Sequence, residues 1–168
     1  MRVILILILC LACATLATAT ESSPKKETVG SVTGLTLPRF ASLKNSQVNI
    51  RTGPGKRYPI DWVIVRKGMP VEIIAEHDVW RKIRDWQGTE GWVHHAMLSG
   101  RRSILIIGDN VIMRKKPTAD AAPVIKLAPM VAAFVESCTN DWCKIEADNF
   151  KGWIMIHNTW GIKGGEIF

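Results

Sequence analysis

The chain has 168 residues and a formal net charge of +7, from 22 lysines and arginines against 15 aspartates and glutamates. That balance calls for a neutral or acidic partner and excludes a basic one, although a modest positive charge also serves simply to keep a small domain soluble. In an intracellular protein it would point to nucleic acid, but the first residues argue for export.

Met1-Arg2, the apolar run Val3 to Ala14 and the small residues Ala17-Thr18-Ala19 have the layout of a secretory signal peptide over residues 1–19. The run is shorter than the roughly 20 apolar residues a spanning helix needs. The alternatives, an uncleaved anchor or lipidation at Cys10 or Cys13, are weaker because neither cysteine sits in the small-residue context of lipoprotein processing. Cleavage leaves a mature chain with 21 basic and 15 acidic side chains, net +6, and no stable membrane insertion is expected of it. Export favours anionic envelope polymers, lipid headgroups or acidic proteins as partners over nucleic acid. Residues 20–38, rich in Ser, Thr, Gly, Lys and Pro without a sustained period, read as a flexible lead-in.

From about Arg39 the apolar residues come in bursts too short for helices: Val48 to Ile50, Trp62 to Val65, Val71 to Ala75, Trp80 to Arg84 and Gly91 to Val93. β-branched and aromatic residues dominate them, and turn formers such as Thr52-Gly53-Pro54-Gly55, Lys67-Gly68 and Gln87-Gly88 separate them. Five short strands in under about sixty residues predict a meander closing into a small barrel. After the short linker Ser99 to Ser103 the scheme returns. Val48, Ile50, Arg51 and Pro54 recur as Val111, Met113, Arg114 and Pro117 at a spacing of 63; Trp80 and Ile83 recur at 62; Gly91-Trp92-Val93 recurs as Gly152-Trp153-Ile154 at 61. Two copies are too few for a solenoid. The expected fold is all-β, two tandem five-stranded barrels over residues 39–100 and 101–168, packed together because a barrel of some sixty residues buries only about 60% of its unfolded surface.

The stretch VNIRTGPGKRYPIDWVIVRKGMPVEIIAEHDVWRKIRDWQGTEGWVH resembles a bacterial SH3-like (SH3b) domain, with its V-N-V-R start, G-P-G loop, W-x-K-I-R strand and closing G-W-V. The second copy is more divergent: Lys115-Lys116-Pro117 replaces the Gly-Pro-Gly loop, while the Trp, Lys-Ile and Gly-Trp marks stay. A signal peptide followed by tandem copies, with a cysteine pair in the second, is similar to exported alphaproteobacterial proteins of this family. The resemblance implies SH3-like barrels and a binding role, often at the cell wall, without naming a ligand.

Aligning Trp80 with Trp142 sets Cys138 opposite Glu76 and Cys143 opposite Arg81. If Thr139 and Trp142 flank a two-residue hairpin turn, Cys138 and Cys143 form the next cross-strand pair, within reach of a disulfide. A Glu76–Arg81 pair would occupy the same place in the first copy. His77-Asp78-Val79-Trp80 suits that turn less well, since Val79 resists positive φ. So small a disulfide loop gives about 2 kcal/mol, and the spacing is not the Cys-x-x-Cys of redox proteins.

Trp92 and Trp153 are shared between copies and read as structural, whereas Trp80 and Trp142 follow tight turns and read as half exposed. Tyr58, Trp62 and Trp86 lack counterparts and are ligand candidates, because flat apolar faces suit sugar rings or proline side chains. With Trp80, Lys56 and Arg57 they make the expected binding set, Tyr58 and Trp62 forming its groove. Arg51 and Arg114 are expected to hold loop carbonyls. His94 and His95 would lie on opposite faces if the strand continued through them. No catalytic triad, carboxylate pair, phosphate loop or Cys-His couple appears, and only seven residues follow Gly161, so no enzyme, cofactor or metal is expected. The expectation is a periplasmic or secreted non-catalytic module of the cell envelope, binding peptidoglycan. The alternative is an adaptor for an envelope protein, or for a host protein after secretion.

Overall fold

In the computed structural model, which describes residues 28–163, alternating burial along short strands builds two sheets of the same design. The first contains β3 (Arg39–Leu43), β4 (Val48–Arg51), β5 (Ile60–Ile64), β6 (Pro70–His77), β7 (Trp80–Arg84), β8 (Glu90–His94) and β9 (Leu98–Ser99), in the order β5-β4-β8-β7-β6-β3-β9. The second contains β10 (Ser103–Ile106), β11 (Val111–Arg114), β12 (Pro123–Leu127), β13 (Ala132–Thr139), β14 (Trp142–Ala147), β15 (Phe150–Met155) and β16 (Thr159–Trp160), in the order β12-β11-β15-β14-β13-β10-β16. The five strands expected in each copy are thus framed by a leading strand and a short closing one. Every strand keeps its place when the second copy is laid on the first.

The repetition extends to irregularities. β5 and β12 each carry an extra residue, Asp61 and Val124, where the register shifts beside Arg51 and Arg114, and β6 and β13 each carry one in mid-strand, Ile74 and Glu136. An extra residue bends a strand and sharpens its twist, which lets so short a sheet curl onto itself. Val48, Ile50, Val71, Ile73, Ile83 and Val93 fill the first core, and Met113, Ile145 and Ile154 return in the second. The shared Gly-Trp pair works through its glycine: a Cβ at Gly152 would lie 2.7 Å from the Arg114 carbonyl oxygen, and one at Gly91 would overlap Ile50. Trp92 and Trp153 are half-buried outside the cores, since Val93 and Ile154 take the inward positions.

β10 is buried on both faces. Ile104 and Ile106 belong to the second core, whereas Leu105 lies in the first. The equivalent position in β3 is Ser42, fully buried, whose hydroxyl donates to the Arg101 carbonyl at 2.7 Å. Phe40 meets Trp160 edge-on with centroids 5.0 Å apart, and Arg66 donates to the Met130 carbonyl. The barrels are therefore packed together, as their size required.

Residues 28–37, expected to be part of a flexible lead-in, instead form a hairpin of β1 (Thr28–Val29) and β2 (Thr36–Leu37). Its support comes from far along the chain. Leu37 joins the first core, and the Glu76 carboxylate accepts from Val32 N–H (3.0 Å), Thr33 N–H (2.9 Å) and the Thr33 hydroxyl (2.7 Å). Arg39 closes the ring at 2.8 Å, and the Arg81 Nε lies 3.6 Å away. The expected signal peptide and the start of the lead-in lie outside the described residues.

Glu76 and Arg81 are cross-strand partners, as are Cys138 and Cys143, which form a disulfide with Cα atoms 4.0 Å apart. The adjoining turns are alike rather than different: Asp78 has φ 47° and Asn140 φ 50°, and neither Val79 nor Asp141 has positive φ. The strain expected at Val79 does not arise, because the turn asks for positive φ at its first central residue alone.

Two measurements test these supports. Leu105→Ala should lower stability by about 2–5 kcal/mol and leave one unfolding transition shared by both barrels; two separate transitions would show that the barrels stand independently. Burial of the Glu76 carboxylate opposes its ionisation, but the bonds from Thr33, Arg39 and Val32 outweigh that and hold its pKa at about 2 instead of 4.5. A value depressed by folding gives stability that is complete above pH 4.5 and lost as pH falls toward 2. Glu76→Gln should cost up to about 3 kcal/mol at pH 7 in urea unfolding, and the gap to the parent protein should close across that acid range; a gap independent of pH would remove the charge as its source.

Candidate functional site

Along β4 the inward Val48 and Ile50 alternate with Asn49 and Arg51, which face outward beside Gln47. With Lys56, Trp80, His94, Ala96 and Met97 they line an open groove of about 630 Å³. The loop between β4 and β5 brings Lys56 there. Arg51 Nη1 donates to the Tyr58 carbonyl at 2.7 Å and the Lys56 carbonyl at 3.3 Å, so this arginine holds loop carbonyls as expected. Arg114 repeats the bond on Ala121 at 2.7 Å.

Trp80 is 8% exposed, more buried than its place after a turn suggested, and lines the groove. His94 meets it T-shaped, with centroids 5.5 Å apart. β8 ends at His94, and residues His95–Met97 form a 3₁₀ turn capped by His94 Nδ1, which accepts from Ala96 N–H at 3.2 Å. Because the strand stops there, His94 and His95 do not point to opposite faces; their rings stack at 4.9 Å. The capping bond leaves the proton of a neutral His94 on Nε2.

The six residues expected to bind do not form one site. Lys56 and Trp80 line the groove. Tyr58 and Arg57 stand behind it: Tyr58 packs on the loop, where a Cβ at Gly53 would come within 2.6 Å of its ring carbons, and the Arg57 guanidinium sits 5.2 Å from the ring centroid. Trp62 and Trp86 line a separate cleft of about 280 Å³ that reaches Met130 of the second repeat. Sequence reasoning missed Gln47, Asn49 and His94 as groove residues and read Arg51 as structural alone. The period-2 pattern of β4 was the available signal, since the residues between core positions must face out.

The second repeat has a groove at the same place, about 190 Å³, lined by Asn110, Ile112, Arg114, Ala119, Trp142 and Met155 among others. Asn49, Lys56 and His94 are replaced there by Ile112, Ala119 and Met155. Tyr58 becomes Ala121, and the loop glycines Gly53 and Gly55 become Lys116 and Thr118. The absence of a ring to accommodate explains why the glycines could go. Gly53→Ala should therefore cost about 1–3 kcal/mol in the parent protein and much less beside Tyr58→Ala; a double-mutant cycle by thermal unfolding that finds the two changes additive would refute the coupling.

Among the described residues no three His, Cys, Asp or Glu side chains are grouped to hold a metal, and no helix is long and apolar enough to cross a membrane. No curated protein matches the chain in sequence. Among solved structures, NlpC2 and NlpC1 from Trichomonas vaginalis are similar at 9% and 10% identity, covering 76% and 82% of this chain and 51% and 52% of theirs, each with a TM-score of 0.34. An NlpC/P60 family protein from Bacillus cereus shares 10% identity over 74% of this chain and 57% of its own, also with a TM-score of 0.34. The chain spans about half the length of these structures. The bacterial SH3 domain family matches twice, over residues 44–100 and 108–161, each match enclosing most of one sheet. The chain belongs to the bacterial SH3 domain family, as a tandem pair.

Proposed function

We propose that the protein is an exported, non-catalytic binding module of the cell envelope, and that its ligand is peptidoglycan, held in the groove of the first repeat. The observation that carries this reading is the groove's composition: the Trp80 indole, the amides of Gln47 and Asn49, and the cations Arg51 and Lys56, with no acid in the lining. Sugar rings and peptide amides suit the first two, and peptide carboxylates suit the cations. The Cys138–Cys143 disulfide fits a periplasmic or extracellular address, where such bonds persist, and the signal peptide read from residues 1–19 supports the same address.

A protein ligand is the second reading. β5 is an edge strand with Ile60 45% and Val63 40% exposed, and Val65 just beyond it is 74% exposed. Such an edge can accept an extended segment of another chain.

Mature protein mixed with purified sacculi at low salt should pellet with them, and Lys56→Glu should reduce the retained fraction several-fold without unfolding the protein, because Lys56 is exposed. Protein that stays in the supernatant would discard peptidoglycan as the ligand. Retention by one envelope protein, abolished by charges at Ile60 and Val63, would favour the edge-strand reading.

A further inference from the structure

We infer that the two repeats have divided the work: the first groove takes a peptide through its free carboxylate, and the equivalent groove of the second repeat does not. This rests on the cell-wall reading for the source of the peptide, but its chemistry stands on the groove alone.

The cations of the first repeat differ in what they touch. Arg39 and Arg81 engage Glu76, while Lys82 and Arg84 engage Glu90 and Glu72. Lys56 has no charged partner among the described residues. Arg51 uses Nη1 for the two loop carbonyls, leaving its Nη2 arm without a partner among them. His94, with Nδ1 committed to Ala96, has an N–H donor at Nε2. Three donors with positive or polarised hydrogens thus line one concavity lacking any carboxylate, the arrangement that recognises an anionic oxygen pair.

The second groove loses two of these three donors at the same backbone positions. Lys56-Arg57 becomes Ala119-Asp120, and His94 becomes Met155. The Asp120 carboxyl is held below its ordinary range, first by the Thr118 hydroxyl and its own backbone N–H and further by the Arg114 charge, so an acid stands beside the arginine that the repeats share. Ile112 and Met155, 40% and 36% exposed, stand where the first groove has an amide and an imidazole, and of the polar groups that remain, Asn110, Arg114, His157 and Asn158, the last two engage each other at 2.9 Å. The shared arginine and tryptophan keep the groove's place, and the unshared residues decide its ligand.

The test uses the whole mature protein and three probes: a muramyl peptide with free carboxylates, the same compound with each carboxylate amidated, and an unrelated short peptide with a free C-terminal carboxylate. Binding is read from the indole N–H resonances of Trp80 and Trp142. The free-acid muramyl peptide should move the Trp80 resonance and leave Trp142 in place, with affinity about tenfold above that of the amide. Lys56→Ala should weaken it by a similar factor. Ala119→Lys with Met155→His should make the Trp142 resonance respond. Equal affinity for acid and amide, or equal movement of both tryptophans in the parent protein, would overturn the inference even if sacculi are bound. If sacculi and muramyl peptide are ignored while the unrelated peptide moves Trp80, the carboxylate inference holds and the peptidoglycan reading falls.

Discussion

Everything in this molecule leans on a strand that has no solvent face. β10 places Ile104 and Ile106 in one barrel and Leu105 in the other, so neither core is complete without this one strand. A sheet strand normally satisfies one core and shows its other face to water. Here both faces are apolar because the neighbouring repeat supplies the second covering. The constraint runs in one direction, since the matching position in β3 is Ser42, which answers with a hydrogen bond to the Arg101 carbonyl rather than a side chain in the second core. A barrel of about sixty residues is marginal alone, and the exchange of Leu105 makes the pair the unit that folds.

Within that unit the copies have kept what the barrel needs and changed what it does not. Arg51 and Arg114 still hold a loop carbonyl, and Gly91 and Gly152 still let β8 and β15 approach β4 and β11. The pair beyond the β6–β7 turn has changed chemistry without changing place: Glu76 and Arg81 in one copy, a disulfide in the other. The ionic version does something the disulfide cannot. A carboxylate has lone pairs beyond those used by its cross-strand partner, and Glu76 gives them to Val32 and Thr33, fastening the amino-terminal hairpin to the first barrel alone.

The repeat, its strands, the disulfide and the role of Arg51 were legible because each depends on residues close together or on a register that the second copy repeats. The hairpin at residues 28–37 was not, because what orders it is Glu76, more than forty residues away, and the composition of the segment itself favours disorder. The groove was half legible. Lys56 and Trp80 stood out by type, but grouping them with Gln47, Asn49 and His94 required knowing that β4 and β8 are neighbours and that the chain turns at His95. Aromatic rings without counterparts proved a poor guide to location, since Tyr58 packs on its own loop and Trp62 and Trp86 pack against the first core. A better signal lay in polarity: aligned positions where the repeats differ in charge or polarity, 49/112, 56/119 and 94/155, line one groove in each repeat once folded.

An open groove with two cations binds a single small anion weakly, because water and salt screen exposed charges within about 8 Å at physiological ionic strength. On a polymer that presents the same carboxylate at every repeat unit, rebinding after each release raises the effective concentration and converts weak contacts into retention. Many weak contacts along one polymer can hold such a module even though each single site releases quickly. The groove of the first repeat is open and its lining is held by the fold: Trp80 meets His94 T-shaped, the Lys56 loop is tied down by Arg51, and both rest on a barrel whose core is completed by its neighbour.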